Sequence, residues 1–357
     1  MSLKKDVVVR KVTNLSEDLR VSIDSLGGLS DINDKDFIII KPNLCDFRPS
    51  WEGGTTDPQI IKELIKLIRI DANPRIAIVE SNHSIADAEE EFERLGYIEL
   101  ADELSIELIN LSKEKMYEVQ LDGNYFKVLK VPEALLKSTK IISVAKLKTH
   151  SQQRITCNMK NLFGLISARE KVKYHAFMNE VLFDLCNYYS PYLSIIDGIF
   201  GMEGFGPSIG DKKKVGIIIC GKDIVATDAA AAKVMGFKPT SVPYLKYAEK
   251  HGLGSTRDIN IIKNYDEDTK FNFVPFYSYG IYRLSFFIKR IGSGLEKFFN
   301  SASKFISLGS IGSIVLLRGF FVTSELGVLL RKHATMFLRG LFERIWILAM
   351  LKFKRLN

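Results

Sequence analysis

The sequence predicts an α/β fold: an open, mostly parallel sheet with flanking helices, followed by a C-terminal helical segment. Three observations carry this. β-branched runs, polar turns and helical periods alternate through the first 270 residues, the pattern of strands joined by right-handed helical crossovers. The apolar runs are continuous rather than alternating, as in strands covered on both faces. The last quarter of the chain then changes composition abruptly.

Taken in order, the N-terminus MSLKKDVVVRKV has no long apolar stretch behind its lysines, so no signal peptide is expected. Phe37–Ile40 is the first clear strand. Asp57-Pro58 opens a helix, with Asp as N-cap and Pro at the first helical position, and Ile60, Ile61, Leu64, Ile65 and Ile68 form its apolar face. Arg75–Val79 is a strand and Ala86–Leu95 a helix. Glu118–Val131 reads as a hairpin turned at Asp122-Gly123-Asn124. Strands follow at Lys140–Val144, Tyr192–Ile196 and Val215–Cys220, with helices at Asn179–Tyr188 and Asp228–Val234. The charged stretch Lys263–Lys270 marks the boundary between an α/β domain, 1–265, and a basic, aromatic tail, 266–357.

With 357 residues, 46% hydrophobic and 26% charged, the chain has an ordinary globular composition, which argues against disorder and against a polytopic membrane protein. Cys45, Cys157, Cys186 and Cys220 stand far apart with no C-x-x-C pair. That argues against a zinc site or a self-contained iron–sulfur motif and fits reduced thiols in a cytoplasm. Residues 271–357 hold 13 Lys and Arg against 3 Glu, a balance of +10, and 17 of the 38 aromatics. The whole chain is +8, so the difference leaves residues 1–270 at −2.

In open α/β sheets ligands bind beyond the carboxyl ends of the strands. Five strand ends deliver polar groups there: Lys41-Pro42-Asn43; Glu80 to His83; Lys146 to His150; Asp197 with a Gly-rich stretch; and Gly221-Lys222-Asp223. In an extended chain Lys146, Lys148 and His150 share one face, where two ammonium groups and an imidazole would hold a phosphate or carboxylate. Their repulsion and burial would suit a lysine to proton transfer. Lys160, Asn161 and Gly164 follow after a turn, and Lys171 and His175 return as a flap. The loop from Asp197 to Pro207, with Gly204 and Gly206, lets backbone N–H groups approach a ligand, though its spacing is neither a dinucleotide fingerprint nor a P-loop. Asp197 and Glu203 have three roles open to them: ligands of a divalent cation, acid and base, or partners of the lysines.

Lys41-Pro42-Asn43, Thr56-Asp57-Pro58, KLKTH with the later KNLFG, DGIFGMEGFGP and Asp223 with Asp228 resemble the family called domain of unknown function number 362, over roughly residues 35–260. The family has no single activity. The resemblance implies that the matched polar residues form a common site. Many relatives carry an appended ferredoxin-like segment, which implies a link to iron–sulfur electron transfer. This chain lacks that cysteine cluster, so any such cluster would be shared with a partner or assembled from distant thiols.

In the tail, the apolar window Phe305–Ser324 contains Arg318 and three glycines, a poor transmembrane segment. Amphipathic helices on an anionic membrane surface and a helical subdomain packed on the α/β body fit the tail equally. Nucleic acid is not expected as a partner, because the basic residues are interleaved with apolar ones and no recognition motif accompanies them. The expected function is that of an α/β protein, an enzyme on the first reading, that binds an anionic small molecule (phosphate or carboxylate, with a lipid-linked one included). Lys146, Lys148, His150 and Asp197 would be catalytic, Lys41, Asn43, Lys160, Asn161, Gly204 and Gly206 would bind ligand, and Glu203 and Asp197 would hold any metal. The alternatives are an iron–sulfur-linked redox component and a membrane-surface binding module, and the expected location is the cytoplasm with peripheral membrane contact.

Overall fold

The computed structural model describes residues 5–275, apart from 84–85, 167–170, 172 and 266–268. The helices expected in the tail lie outside the described residues. In chain order the elements are β1 (Lys5–Lys11), α1 (Leu15–Asp24), β2 (Phe37–Pro42), α2 (Pro58–Ile68), β3 (Arg75–Glu80), α3 (Ala88–Arg94), α4 (Tyr97–Leu104), β4 (Glu107–Asn110), β5 (Met116–Gln120), β6 (Val128–Pro132), α5 (Glu133–Lys137), β7 (Lys140–His150), β8 (Arg154–Thr156), α6 (Asn158–Asn161), α7 (Met178–Tyr189), β9 (Leu193–Glu203), β10 (Asp211–Gly221), α8 (Ile224–Val234), α9 (Pro243–Lys250) and β11 (Ile259–Lys263).

A nine-stranded sheet runs β11-β1-β10-β9-β7-β2-β3-β4, with β8 paired to β7. The block β9-β7-β2-β3-β4 is parallel throughout. β10 lies antiparallel to both of its neighbours. The fold is therefore α/β with a mixed, mostly parallel sheet. β5 and β6 form the expected antiparallel hairpin.

Side chains leave the strands on alternate faces, and each face has its own core. Ile38, Ile40, Ile76, Ile78, Ile142 and Val144 pack against the apolar face of α2 and against Phe92, Tyr97 and Leu100 of α3 and α4. Ile39, Ala77, Val79, Ile141 and Ala145 pack against Val181, Leu182 and Leu185 of α7 and the alanines of α8. Each fully buried Ile or Leu contributes about 1.5–3 kcal/mol. Asp57 caps α2 by accepting from the Gln59 N–H at 2.9 Å, with Pro58 opening the helix. α8 begins at Ile224, earlier than the apolar period suggests, because Asp223 caps it by accepting from the Ala226 N–H at 2.9 Å.

The strand order places the crevice. From β2 the chain steps outward to β3 and β4, with α2, α3 and α4 on one face. It then returns to β7 on the other side of β2 and continues to β9, with α7 on the opposite face. The switch point thus lies between the carboxyl ends of β2 and β7, where such folds bind ligands.

Two sequence expectations about the strand ends change here. Asp197 to Glu203 is not loop: these residues continue β9, paired with β10 as far as Glu203 with Asp211. Because β10 is antiparallel, Gly221 pairs with Ser194 at the start of β9, so Lys222 and Asp223 lie at the opposite edge of the sheet from β7's end. The unit also runs past the charged stretch Lys263–Lys270: Phe271 is buried, and the Asn272 N–H donates to Glu203 at 2.9 Å.

Candidate functional site

The crevice is built first from β2 and the loop behind it. Lys41 is buried and donates to Glu80 Oε2 at the end of β3 and to the Pro42 carbonyl, both at 2.5 Å. The Asn43 N–H donates to Thr56 Oγ1, whose hydroxyl donates to the Val144 carbonyl, so the loop 43–56 is fastened across the end of β7. Asn161 on α6 donates to the Lys41 carbonyl at 2.9 Å and to Ser143 Oγ at 3.1 Å, and accepts from Asn43 at 3.3 Å. Asn43 and Asn161 thus brace the crevice wall.

β7 supplies three consecutive same-face residues, as alternation requires, but each has separate partners. Lys146 is sealed: its ammonium donates to Asp197 at 2.7 Å and to the Ser50 carbonyl at 2.9 Å. Asp197 also accepts from the Asp57 and Ile199 N–H groups. Burial lowers Lys146 and raises Asp197, and the contact between them opposes both shifts. Lys148 donates to the Gly54 carbonyl at 2.7 Å and to Cys45 Sγ at 3.0 Å. His150 accepts through Nδ1 from the Gln152 and Gln153 N–H groups, both at 3.2 Å. Burial holds its pKa well below 6.5, helped by the charges of Lys160, His175 and Lys148.

Two further lysines close on the same space. Lys160, on α6, has no hydrogen bond or ion pair among the described residues; its ammonium stands over the Phe163 ring at 4.5 Å. Burial lowers it to about 8, with Cys45 opposing and Lys171 and Lys148 adding to the shift. Lys171 donates to Ser81 Oγ at 2.7 Å and to the Asn82 carbonyl at 3.3 Å, and burial with the Lys41 charge lowers it to about 8 against the pull of Glu80. His83 meets the buried Glu91 at 2.6 Å. Burial and the Glu80 charge push Glu91 up, against the pull of Lys41 and Lys171. Glu80 belongs to Lys41, and Asp46 to Arg48 at 3.1 Å. No carboxylate forms an ion pair with Lys148, Lys160 or Lys171 among the described residues. The crevice therefore holds an excess of cations.

The glycines and acids of the β9–β10 region have partners of their own. The Gly204 N–H donates to the Asn272 carbonyl at 2.7 Å, and its own carbonyl accepts from Thr149 Oγ1 at 3.1 Å. Gly206 accepts from the Ser151 N–H, and a Cβ there would collide with the Thr149 carbonyl. Glu203 pairs with Lys213 at 2.9 Å and binds Asn272, sharing no partner with Asp197. Of the two, Asp197 takes the lysine-partner role within the crevice wall. Among the described residues no group of three or more His, Cys, Asp or Glu side chains converges as metal ligands. Cys45 is half-buried, and Cys157, Cys186 and Cys220 are buried elsewhere, an arrangement that does not fit an iron–sulfur cluster.

Sequence reasoning missed Cys45 and Glu91. Cys45 follows Asn43 by two residues in KPNLC, so its nearness to a strand end was a usable signal. Glu91 sits in an acidic helical run, AEEEFER, which reads as a solvated face. Asp228 proves to be an anchor: it accepts from the Asn158 and Met159 N–H groups at 2.8 and 2.9 Å and so sets α6, and Lys160 with it.

The sequence matches the family described as Domain of unknown function (DUF362) over residues 38–233. The thylakoid-associated protein sll1697 of Synechocystis sp. is 26% identical over 251 residues, covering 68% of this chain and 77% of that protein. The lactate racemase apoprotein from Thermoanaerobacterium thermosaccharolyticum superposes with a TM-score of 0.40 at 13% identity, over 64% of this chain and 57% of that one.

Proposed function

This chain belongs to the family described as Domain of unknown function (DUF362), and we propose that its α/β unit binds a small phosphate- or carboxylate-bearing molecule in the β2–β7 crevice and acts on it as an enzyme. One observation carries this: Lys148, Lys160 and Lys171 face one space, and the nearest carboxyl groups are engaged by Lys41, Arg48 and His83. Burying like charges together is costly without a counter-charge, and an anion supplies it. Ammonium groups serve phosphate and carboxylate alike, as charge-assisted donors. Lysines held at about 8 are also within reach of proton transfer at neutral pH. In this reading Lys148, Lys160 and Lys171 hold the ligand, His150 remains a neutral imidazole at the rim, and the Lys146–Asp197 pair fixes the loop that forms the wall.

The test is calorimetric titration of the full chain with inorganic phosphate and with small carboxylates. Saturable binding that the double variant Lys160→Met/Lys171→Met loses is the expected result. Equal binding by both proteins, or by neither, would overturn the reading.

A second reading concerns location. The relative from Synechocystis is thylakoid-associated by name, and residues 271–357 carry +10 with 17 aromatics, a composition suited to an anionic bilayer surface. No helix among the described residues is long and apolar enough to cross a membrane. The full chain should co-sediment with phosphatidylserine vesicles at low salt and not with phosphatidylcholine vesicles. Failure on both would remove the peripheral reading.

A further inference from the structure

Cys45 is the half-buried thiol of the chain; the other three cysteines are buried. It sits in the crevice, two residues past Asn43 and three past the end of β2. The Lys148 ammonium donates to its sulfur at 3.0 Å, and the sulfur stands 3.7 Å from Asn43 Oδ1. Lys160 and Lys171 also lie within electrostatic range of this sulfur. Lys160 bears on this independently: half-buried, its ammonium has neither hydrogen bond nor ion pair among the described residues and stands over the Phe163 ring at 4.5 Å, where a ligand group can meet it. A sulfur accessible from solvent and flanked by ammonium groups is the setting in which cysteine acts as a nucleophile.

We propose that Cys45 is the nucleophile of the anion site, attacking an electrophilic carbon of a ligand whose phosphate or carboxylate is held by Lys160 and Lys171. This rests on the anion-binding reading above. The ligand class is a carbonyl compound bearing an anionic group. The Cys45 sulfur forms a bond to the carbonyl carbon, the C=O π pair moves to oxygen, and that oxygen takes a proton from the Lys160 ammonium, leaving a neutral amine. The sulfur's own proton passes to solvent. No oxidant or reductant is consumed.

Two alkylating probes separate the elements of this proposal. Iodoacetamide is neutral, whereas iodoacetate carries a carboxylate. With each, an S–C bond forms as the C–I bond breaks and iodide leaves with the electron pair. An ordinary thiolate repels iodoacetate and reacts faster with iodoacetamide. At Cys45 the lysines should reverse that order by about tenfold, the lower end of what a cleft lined by one charge achieves. Labelling of the full chain at pH 7.5, followed by peptide mass spectrometry, should place iodoacetate on Cys45 with saturating kinetics, and phosphate should protect it. Lys160→Met should abolish the preference while leaving iodoacetamide labelling in place, and Cys45→Ser should abolish both. Should phosphate bind calorimetrically while Cys45 reacts no faster than glutathione with either reagent, the nucleophile is overturned and the anion site stands. Should Cys45 react rapidly with iodoacetamide but show neither the iodoacetate preference nor phosphate protection, the proposal falls together with the anion reading beneath it.

Discussion

Lys160 makes the cation excess measurable as stability. Its pKa falls from 10.5 to about 8 in the folded chain, and at 1.36 kcal/mol per unit this shift corresponds to about 3 kcal/mol of destabilisation when the lysine is protonated. The side chain retains some solvent contact, and the stacking on Phe163 is worth about 0.5–1 kcal/mol, so replacement by methionine should stabilise the free protein by about 1–2 kcal/mol at pH 7. Methionine keeps the length and flexibility of the stem without the charge. The pH dependence follows from proton counts. Between pH 8 and 10.5 the unfolded chain holds the Lys160 proton more tightly than the folded one, so stability rises with pH across that window. Below pH 8 both states are protonated and the destabilisation is complete; above 10.5 it is gone. Urea unfolding of wild type and Lys160→Met in phosphate-free buffer reads both effects. The advantage of the variant at pH 7 should shrink to about a quarter by pH 10, and added phosphate should stabilise the wild type much more than the variant. A variant less stable than wild type at pH 7, or a difference independent of pH, would refute the idea that Lys160 waits for a counter-ion.

Three further outcomes bear on the walls of the site. Asp197→Ala leaves Lys146 as an unpaired buried charge and should cost about 3–5 kcal/mol in urea unfolding; a loss under 1 kcal/mol would mean that the pair does not hold the 50–57 loop. His150 is held well below 6.5 by burial and neighbouring lysines, so as pH drops below 6.5 the unfolded chain gains a proton that the folded chain refuses, and stability should fall by up to about 1.36 kcal/mol per unit. His150→Asn, which keeps an acceptor for the Gln152 and Gln153 N–H groups, should flatten that slope, and an unchanged slope would assign it to other groups. Gly206→Ala forces a methyl into the Thr149 carbonyl and should lower stability by about 2 kcal/mol or more, whereas a glycine reserved for ligand approach would affect phosphate affinity and leave the melting temperature alone.

The sequence by itself determined whatever depends on near neighbours along the chain. Continuous runs such as Phe37–Ile40 and Lys140–Val144 became buried strands, and Asp57-Pro58 with its five apolar partners became a capped helix, because dihedral preference, capping and periodicity are local. Lys146, Lys148 and His150 fall on one face for the same reason. Tertiary structure alone decided what each of those groups meets. Asp197 reaches Lys146 from 51 positions away, and Glu80 reaches Lys41 from 39, while Lys148 finds Cys45 and Lys160 finds no counter-charge. Reversing one strand, β10, sent Lys222 and Asp223 to the far edge of the sheet, and backbone pairing within the chain occupied the Gly204 N–H and the Gly206 carbonyl. The fate of a charge depends on what lies within a few ångströms of it. Strand order and register set that distance across tens of residues, and local sequence carries no record of either.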